Sequence, residues 1–157
     1  MKYNEPNALN DVARFHASFD LPIPLKPAVP TEDRCNLRIA LLQEELNELK
    51  EALDNNDIVE AADALADLQY VLSGAILELG LGEKFKSLFD EVQRSNMSKT
   101  CKTMDEAHKT QEYYLKHKDT ASFIVAKGEE FLVYRTEDKK VLKSINYSPA
   151  DLNSLLA

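Results

Sequence analysis

The feature that most constrains the fold is an apolar stretch of chain that carries three carboxylates on one side of a helix. From residue 58 to residue 79, the residues around Glu60, Asp63 and Asp67 are almost all apolar. At about 100° per residue, these three acids fall within an arc of about 60°. A helix that is apolar on all sides is expected to be buried. Buried carboxylates are costly unless a cation meets them, so the stretch predicts a buried helix that binds a cation.

A second group of carboxylates, Glu44, Glu45 and Glu48, lies in the preceding predicted helix. On their own, these acids are typical of a solvated helix face. Asp63 and Asp67, however, have no basic residue in their own helix to pair with, and this favours a metal site shared by the two helices. Carboxylate oxygens suit Mg²⁺, with Mn²⁺ as a substitute, because both cations prefer oxygen ligands.

Glu60 has an alternative role at the start of its helix. Asp57 and Glu60 have the spacing of a capping box, in which two side chains satisfy free N–H groups. The sequence leaves both roles of Glu60 open.

The chain around these acids predicts an all-α helical bundle. Apolar residues at helical spacing, with capping residues and prolines at the breaks, indicate five helices. The four prolines between residues 22 and 30 predict an extended connector, because proline fixes φ and restricts the preceding residue. The predicted helices cover residues 6–19, 32–53, 58–79, 83–95 and 104–117.

The pattern changes towards the C-terminus. Residues 122–126 and 130–134 are short, β-branched and aromatic, and they flank a glycine-containing turn, which predicts a β-hairpin. A third strand over 141–145 would extend it. Ser148 as a cap and Pro149 at the first position predict a short final helix. The hairpin is therefore expected to be a small appendage on the bundle.

These elements predict a single domain over residues 1–157, since the sequence contains no internal repeat or low-complexity tract. Its helical core covers about 6–100, and an additional helix and the hairpin cover about 101–145. A C-terminal segment, 146–157, completes it.

Composition narrows the classes of partner. The formal net charge of −8 argues against nucleic-acid backbones and anionic membranes. The sequence has no signal-peptide pattern and no apolar run of transmembrane length. Cys35 and Cys101 lie far apart without metal-like spacing, which is typical of reduced thiols. We therefore expect a cytoplasmic protein with no nucleic-acid or membrane partner.

Five stretches of the chain carry a resemblance to a known superfamily. Residues 44–48, with the pattern Glu-Glu-x-x-Glu, are followed by Glu-x-x-Asp at 60–63. Together they are similar to the signature of the all-α nucleoside-triphosphate pyrophosphohydrolases. That superfamily includes MazG-like enzymes, phosphoribosyl-ATP pyrophosphohydrolases and dimeric dUTPases. Residues 91–99 and 140–149 resemble a small, single-domain branch of MazG-like and phosphoribosyl-ATP-pyrophosphohydrolase-like proteins, and residues 12–22 resemble the same branch.

The chain departs from this pattern in two places. The stretch between Lys99 and Lys140 is longer than the branch predicts, which indicates an addition. Asp67 begins Asp-Leu-Gln-Tyr, which resembles a metal-binding motif of other branches, and in that register Ala64 takes the place of a glutamate. Glu60 with Asp63 is the preferred ligand pair, and Asp67 is the second choice.

The resemblance implies a Mg²⁺-dependent enzyme that hydrolyses an NTP or dNTP to the monophosphate and pyrophosphate, a step that cleans the nucleotide pool. It implies that the acids hold metal ions and that water attacks the α-phosphorus. One of Glu44 and Glu45 is expected to orient or deprotonate this water, and either can take that role. The expected metal ligands are Glu45, Glu48, Glu60, Asp63 and Asp67.

A triphosphate bound to an acidic protein needs nearby cations. Arg94, Asn96 and Lys99 offer groups that suit phosphate oxygens. Basic residues near a helix C-terminus also complement its dipole without any ligand. The sequence therefore leaves two roles open for Arg94 and Lys99, phosphate binding and stabilisation of the helix end. Further substrate-binding candidates are Lys143, Asn146 and Tyr147 for the phosphates, and His16 near the base.

The apolar circumference of the third helix exceeds what one small bundle covers, and relatives pair through such helices. We therefore expect a homodimer or a higher homo-oligomer. Two alternatives stand beside this function. One is phosphoribosyl-ATP hydrolysis in histidine synthesis, and the other is a non-catalytic helical dimerisation module whose acids are merely solvated.

Overall fold

The computed structural model describes residues 2–157, and the chain divides after Phe85 into two compact units. The first unit holds three helices: α1 (Ala8–Ser18), α2 (Glu32–Asp54) and α3 (Ile58–Glu78). Both α1 and α2 pack against α3. This unit contains all the carboxylates of the predicted metal site.

The end of α3 is fixed by Gly80. Its φ of +67° lies in the left-handed region that favours glycine, and a Cβ there would lie 2.1 Å from the carbonyl oxygen of Lys26. The Ala28 N–H donates to the Leu79 carbonyl at 3.1 Å. The proline-rich connector therefore runs extended past the C-terminal end of α3.

The second unit contains α4 (Phe85–Met97, all but its first residue), α5 (Met104–Lys118), the strands β1 (Ser122–Lys127) and β2 (Glu130–Arg135), and α6 (Asn153–Leu156). The strands form an antiparallel hairpin in which Ser122 pairs with Arg135 and Lys127 with Glu130. A small core joins the hairpin to α5, and its buried members are Cys101, Ala107, Val133 and Leu142. The predicted fold class, mostly helical with a small hairpin near the C-terminus, is confirmed.

Two predicted elements near the C-terminus are wrong. In place of a third strand over 141–145, Val141 makes one isolated bridge to Tyr134. The final helix begins at Asn153 rather than after Ser148. The carbonyls of Ser148 and Pro149 instead accept hydrogen bonds from Arg94, which holds this segment in an irregular conformation.

The predicted burial of α3 holds for its last six residues, but the prediction that Glu60, Asp63 and Asp67 are buried is wrong, because all three are exposed. Residues 73–78 are buried, but Ile58 and Val59 are 79% and 71% exposed and Leu65 is 55% exposed. Within the first unit, α1 and α2 pack against α3 and leave these side chains exposed. Among residues 2–157, no helix has the length and hydrophobicity to cross a membrane.

Candidate active site

An acidic cleft lies between the C-terminal half of α2 and the N-terminal half of α3. It has a volume of about 380 Å³. The residues on the facing sides of the helices are small, since Ala52, Ala61 and Ala64 are buried there. Five of the eight lining side chains are carboxylates and none is basic; the lining residues are Glu48, Glu51, Ala52, Asn55, Asp57, Glu60, Asp63 and Ala64.

Asp57 serves the start of α3. Its Oδ1 accepts hydrogen bonds from the N–H groups of Val59 and Glu60, at 3.0 and 3.2 Å. The Asp57 N–H donates to the Ala52 carbonyl at 2.9 Å, so the return bond of a capping box is not formed. The alternative role of Glu60 as a capping partner is therefore not realised, and its carboxylate lines the cleft.

Glu45 is the half-buried member of the acidic group. Its Oε2 is buried, and no hydrogen-bond partner for it occurs among residues 2–157. The pKa of Glu45 is raised, first because the carboxylate is desolvated and then because four other acids lie near it. These neighbours are Glu48, Asp67, Glu44 and Asp63. Acids from both helices, including both Asp63 and Asp67, therefore act on one carboxylate.

The side chains fit a divalent cation in their chemistry. Within the described chain, no three Asp, Glu, His or Cys side chains already form a group arranged to hold a metal. The donors around Glu45 are nevertheless all oxygen atoms, and one of them is buried without a partner. Hard cations such as Mg²⁺ prefer such oxygens and keep several waters.

The other end of the same helix pair holds a buried ion-pair cluster that sequence reasoning missed. Glu78 is 2% exposed and accepts hydrogen bonds from Arg34 and Arg38 of α2. Desolvation raises the pKa of Glu78, but the two guanidinium groups outweigh it and the net pKa is lowered. Two signals in the sequence point to it: Arg34 and Arg38 are spaced i, i+4, and Glu78 is a lone acid in an apolar run.

His16 belongs to this cluster. It is 2% exposed, and its Nδ1 lies 3.1 Å from the Pro22 carbonyl oxygen, to which it donates. Its Nε2 lies 3.5 Å from Arg38 Nη2. Gly74 provides the necessary room, because a Cβ there would lie 2.7 Å from Arg38 Nη1. The predicted contact of His16 with a base stays a prediction, and the structure places the ring inside the first unit.

In the second unit, Arg94 ties the C-terminal segment to α4. Its Nε and Nη2 donate to the Glu91 carboxylate at 2.7 and 2.8 Å, and Nη2 also donates to the Pro149 carbonyl at 3.0 Å. The pKa of Glu91 is lowered to about 2 by the bond from Arg94, with a further bond from the Asp151 N–H. Much of the hydrogen-bonding capacity of Arg94 is therefore used within the protein.

Lys99, Lys143 and Tyr147 lie together in this unit. Lys143 Nζ is 4.1 Å from the centroid of the Tyr147 ring, and Ser95 Oγ donates to the Tyr147 hydroxyl at 3.2 Å. The pKa of Tyr147 is lowered by the Ser95 hydrogen bond, then by the ammonium groups of Lys143 and Lys99. Lys99 also donates to Asn96 Oδ1 at 2.7 Å.

Asn146 faces a different neighbour. Its side chain hydrogen-bonds to Glu106, which also accepts from the Ser144 hydroxyl and the Lys102 N–H. Glu106 is buried, and these bonds fasten the chain around residue 144 to the start of α5. Of the six phosphate-binding candidates, the structure groups Asn96, Lys99, Lys143 and Tyr147, and Arg94 lies near enough for its charge to interact with Tyr147.

Comparison with protein families identifies the catalytic class. The family model for phosphoribosyl-ATP pyrophosphohydrolase matches residues 12–96. This chain belongs to that family. The family is part of the MazG-like all-α NTP pyrophosphohydrolase superfamily, as the motifs indicated, so the predicted membership is confirmed. The protein is a pyrophosphohydrolase that acts on a phosphoanhydride bond of a nucleotide triphosphate. No curated protein matches the chain.

The family match divides the candidate residues of this pyrophosphohydrolase. All the acids of α2 and α3, together with Arg94 and Asn96, fall within residues 12–96. Lys99, Lys143, Tyr147, α5 and the hairpin lie beyond it. The acidic helix pair is thus the part that the family shares, whereas most of the second unit is additional.

Proposed function

We propose that this pyrophosphohydrolase is a Mg²⁺-dependent enzyme that hydrolyses a nucleoside or deoxynucleoside triphosphate to the monophosphate and pyrophosphate. The observation that carries the proposal is Glu45, a half-buried carboxylate among four other acids, with an unpartnered buried oxygen. Such an arrangement is costly for a fold by itself and is typical of a functional site. We further propose that the enzyme acts on the cytoplasmic nucleotide pool.

The acidic group would hold Mg²⁺, or Mn²⁺ in its place. When bound, the cation supplies positive charge to the phosphates and lowers the pKa of bound water. The proposed ligands are Glu45, Glu48, Glu60, Asp63 and Asp67.

A carboxylate of α2 is proposed to orient and deprotonate the attacking water. Glu45 suits this role, because a raised pKa brings a carboxylate closer to the pH at which a general base works well. Glu44, which is exposed beside it, is the alternative. The proton passes from water to this carboxylate as the water oxygen attacks the α-phosphorus and pyrophosphate leaves.

The basic group of the second unit is proposed to bind phosphate. Among the described residues, neither Lys99 nor Lys143 forms a salt bridge, although the chain has a net charge of −8. Asn96 and Tyr147 add polar groups beside these two ammonium groups. Arg94 and Asn146 are proposed as weaker contributors, because both already hydrogen-bond within the protein. His16 is proposed only to support the first unit from inside.

We propose that two copies of the chain pair through α2 and α3. Ile39, Ile58, Val59 and Leu65 are each more than half exposed on these helices, and burying such side chains is favourable. Light scattering at micromolar concentration should give at least twice the chain mass of 17.7 kDa. An active monomer would contradict the pairing.

Phosphoribosyl-ATP is the second candidate substrate, because the matching family carries its name. A panel of eight common NTPs and dNTPs, assayed beside phosphoribosyl-ATP, separates the two. General hydrolysis of ordinary triphosphates supports the first candidate. Turnover that requires the phosphoribosyl group supports the second.

The bond cut is tested by running the reaction in ¹⁸O-labelled water. Attack at the α-phosphorus places the label in the monophosphate, and ³¹P NMR should show pyrophosphate without early orthophosphate. Label in pyrophosphate, or early orthophosphate, would contradict the proposed chemistry.

Conservative amide variants test the proposed ligands. Glu45→Gln and Asp63→Asn should each lower kcat/KM by more than about 100-fold. Loss of a residue that only supports a metal ligand costs up to about 100-fold, and loss of the ligand itself should cost more. Asp54→Asn is the control, because Asp54 is an exposed α2 acid that pairs with Lys50. If Asp63→Asn retains turnover and Asp67→Asn abolishes it, Asp67 is the principal α3 ligand.

A further inference from the structure

An aromatic cleft in the second unit is lined by two proposed phosphate-binding residues, Lys143 and Tyr147, and by Tyr113 and Tyr114, which have no role in the proposed function. It has a volume of about 390 Å³, within the range of small-molecule sites, and belongs to the segment beyond the family match. Three of its six lining residues are tyrosines; the lining residues are Tyr113, Tyr114, Lys143, Ser144, Ile145 and Tyr147.

The walls of this cleft are held in place from behind. The Tyr114 hydroxyl accepts a hydrogen bond from the Lys143 N–H at 3.2 Å, which ties α5 to the C-terminal segment. The Ser144 hydroxyl is bound to the buried Glu106 carboxylate. The cleft is therefore part of the folded second unit.

Tyr113 supplies an exposed aromatic surface to the cleft. Its ring meets Tyr114 edge-on, with centroids 5.5 Å apart, and lies 5.0 Å from the His117 ring at a tilt of 39°. Tyr113 nevertheless remains 45% exposed. Nucleobases stack on exposed aromatic rings with little regard to their identity.

The cleft is also cationic in an acidic protein. Lys143 lines it, and both Lys143 and Lys99 lower the pKa of the Tyr147 hydroxyl. Neither lysine has a salt-bridge partner among residues 2–157. An aromatic wall beside unpaired ammonium groups matches a ligand with a flat ring and an anionic group.

We propose that this cleft is a nucleotide-binding site that does not require a metal: the base stacks on Tyr113 while Lys143 and Lys99 bind the phosphate. The inference rests on the proposed function for the phosphate contacts of Lys99 and Lys143, and adds Tyr113 as the residue that holds the base. Stacking selects for a flat ring rather than for one base, so the site accepts several nucleotides.

Binding without metal tests this site directly. Isothermal titration calorimetry in EDTA compares AMP and ATP with adenosine and inorganic pyrophosphate, and saturation-transfer NMR reports whether base protons contact the protein. AMP and ATP should bind, and more weakly as salt is added. Adenosine and pyrophosphate should each bind more weakly than ATP.

Three variants assign the binding to the cleft. Tyr113→Ala should weaken ATP binding about fivefold or more, the effect of losing one stacked base. Lys143→Gln should weaken ATP but not adenosine. Leu115→Ala is the control, because Leu115 is 62% exposed on the same helix and does not line the cleft.

Three results would overturn the proposal. One is the absence of ATP and AMP binding in EDTA by the folded wild-type protein. The second is binding that Tyr113→Ala and Lys143→Gln leave unchanged, and the third is pyrophosphate binding as tight as that of ATP. These results are independent of hydrolysis, which is measured separately with Mg²⁺ and depends on the acidic cleft.

Discussion

The α2–α3 pair contains two carboxylates whose pKa values are shifted in opposite directions. At one end, Glu78 is almost fully buried, and two arginines of α2 lower its pKa. At the other end, Glu45 is less buried, yet desolvation and neighbouring acids raise its pKa. The same two helices thus neutralise one acid completely and leave the other facing only like charges.

The opposite pKa shifts of Glu78 and Glu45 distinguish a carboxylate that stabilises the fold from one that is typical of a functional site. A buried charge that is paired and hydrogen-bonded can hold elements together, and removing one partner is costly. A carboxylate held among like charges destabilises the protein and persists where something else uses it. The Glu78 end therefore holds the two helices together, and the Glu45 end is the part that we propose for catalysis.

The largest expected effect on stability is at the structural end. Arg38→Ala leaves the buried Glu78 with one fewer cation and should cost about 3–5 kcal/mol of unfolding free energy. In a chain of this size this lowers Tm by roughly 6–20 °C. Urea or thermal unfolding measures it, and Arg14→Ala is the control, because Arg14 pairs with Asp11 at the surface. A loss as small as the control's would show that the cluster is not structural.

A smaller effect, of opposite sign, is expected at the acidic end. Because the folded pKa of Glu45 is raised above its ordinary value of 4.5, its stability contribution is lost as pH rises through the folded pKa. Metal-free Glu45→Gln should therefore melt a few degrees higher than metal-free wild type at pH 8. The two should converge well below pH 4.5, where the carboxyl is protonated in both the folded and the unfolded state.

Glu78 predicts the reverse dependence on pH. Its folded pKa is lowered, so its contribution is present above about 4.5 and is lost as pH falls through the folded pKa. Calorimetry in EDTA across this range measures wild type, Glu45→Gln and Arg38→Ala, which removes one of the cations that lower the pKa of Glu78. A Glu45→Gln protein that is less stable than wild type at pH 8 would contradict the contrast between the two ends.

The smallest expected effect concerns Asp57, an acid of the cleft whose role is structural. Asp57→Ala removes the cap of α3 and should cost about 1 kcal/mol, whereas Asp57→Asn keeps a good cap and should cost much less. Both variants should keep the response to Mg²⁺. Loss of that response in Asp57→Asn would add Asp57 to the metal site.

Local signals predicted most of the helical fold. The bounds of α2, α3 and α5 lie within one or two residues of expectation, because capping residues and apolar spacing act over a few residues. The final helix was wrong because bonds from Arg94, more than fifty residues away, engage the carbonyls of Ser148 and Pro149. Such long-range bonds leave no local pattern in a sequence.

The sequence predicted only the part of the candidate site that depends on spacing within a helix. Helical spacing indicated that acids of α2 and α3 lie near each other, and the charges acting on Glu45 agree with this. The metal ligands themselves stay predictions. The ion-pair cluster escaped notice because Glu78 is forty or more residues from Arg38 and Arg34. Spacing within one helix does not reveal a partner on another.

The most direct test of the account is whether Mg²⁺ stabilises the protein through the acidic cleft. Scanning calorimetry of wild type, Asp63→Asn and Asp54→Asn, each in EDTA and in excess Mg²⁺ at pH 8 and fixed protein concentration, measures it. At about 100 times Kd, binding adds about 2.7 kcal/mol, or roughly 5–11 °C in Tm. We expect this shift for wild type and Asp54→Asn and its loss in Asp63→Asn. A wild-type melt that Mg²⁺ leaves unchanged, or an equal shift in all three proteins, would contradict the proposed metal site.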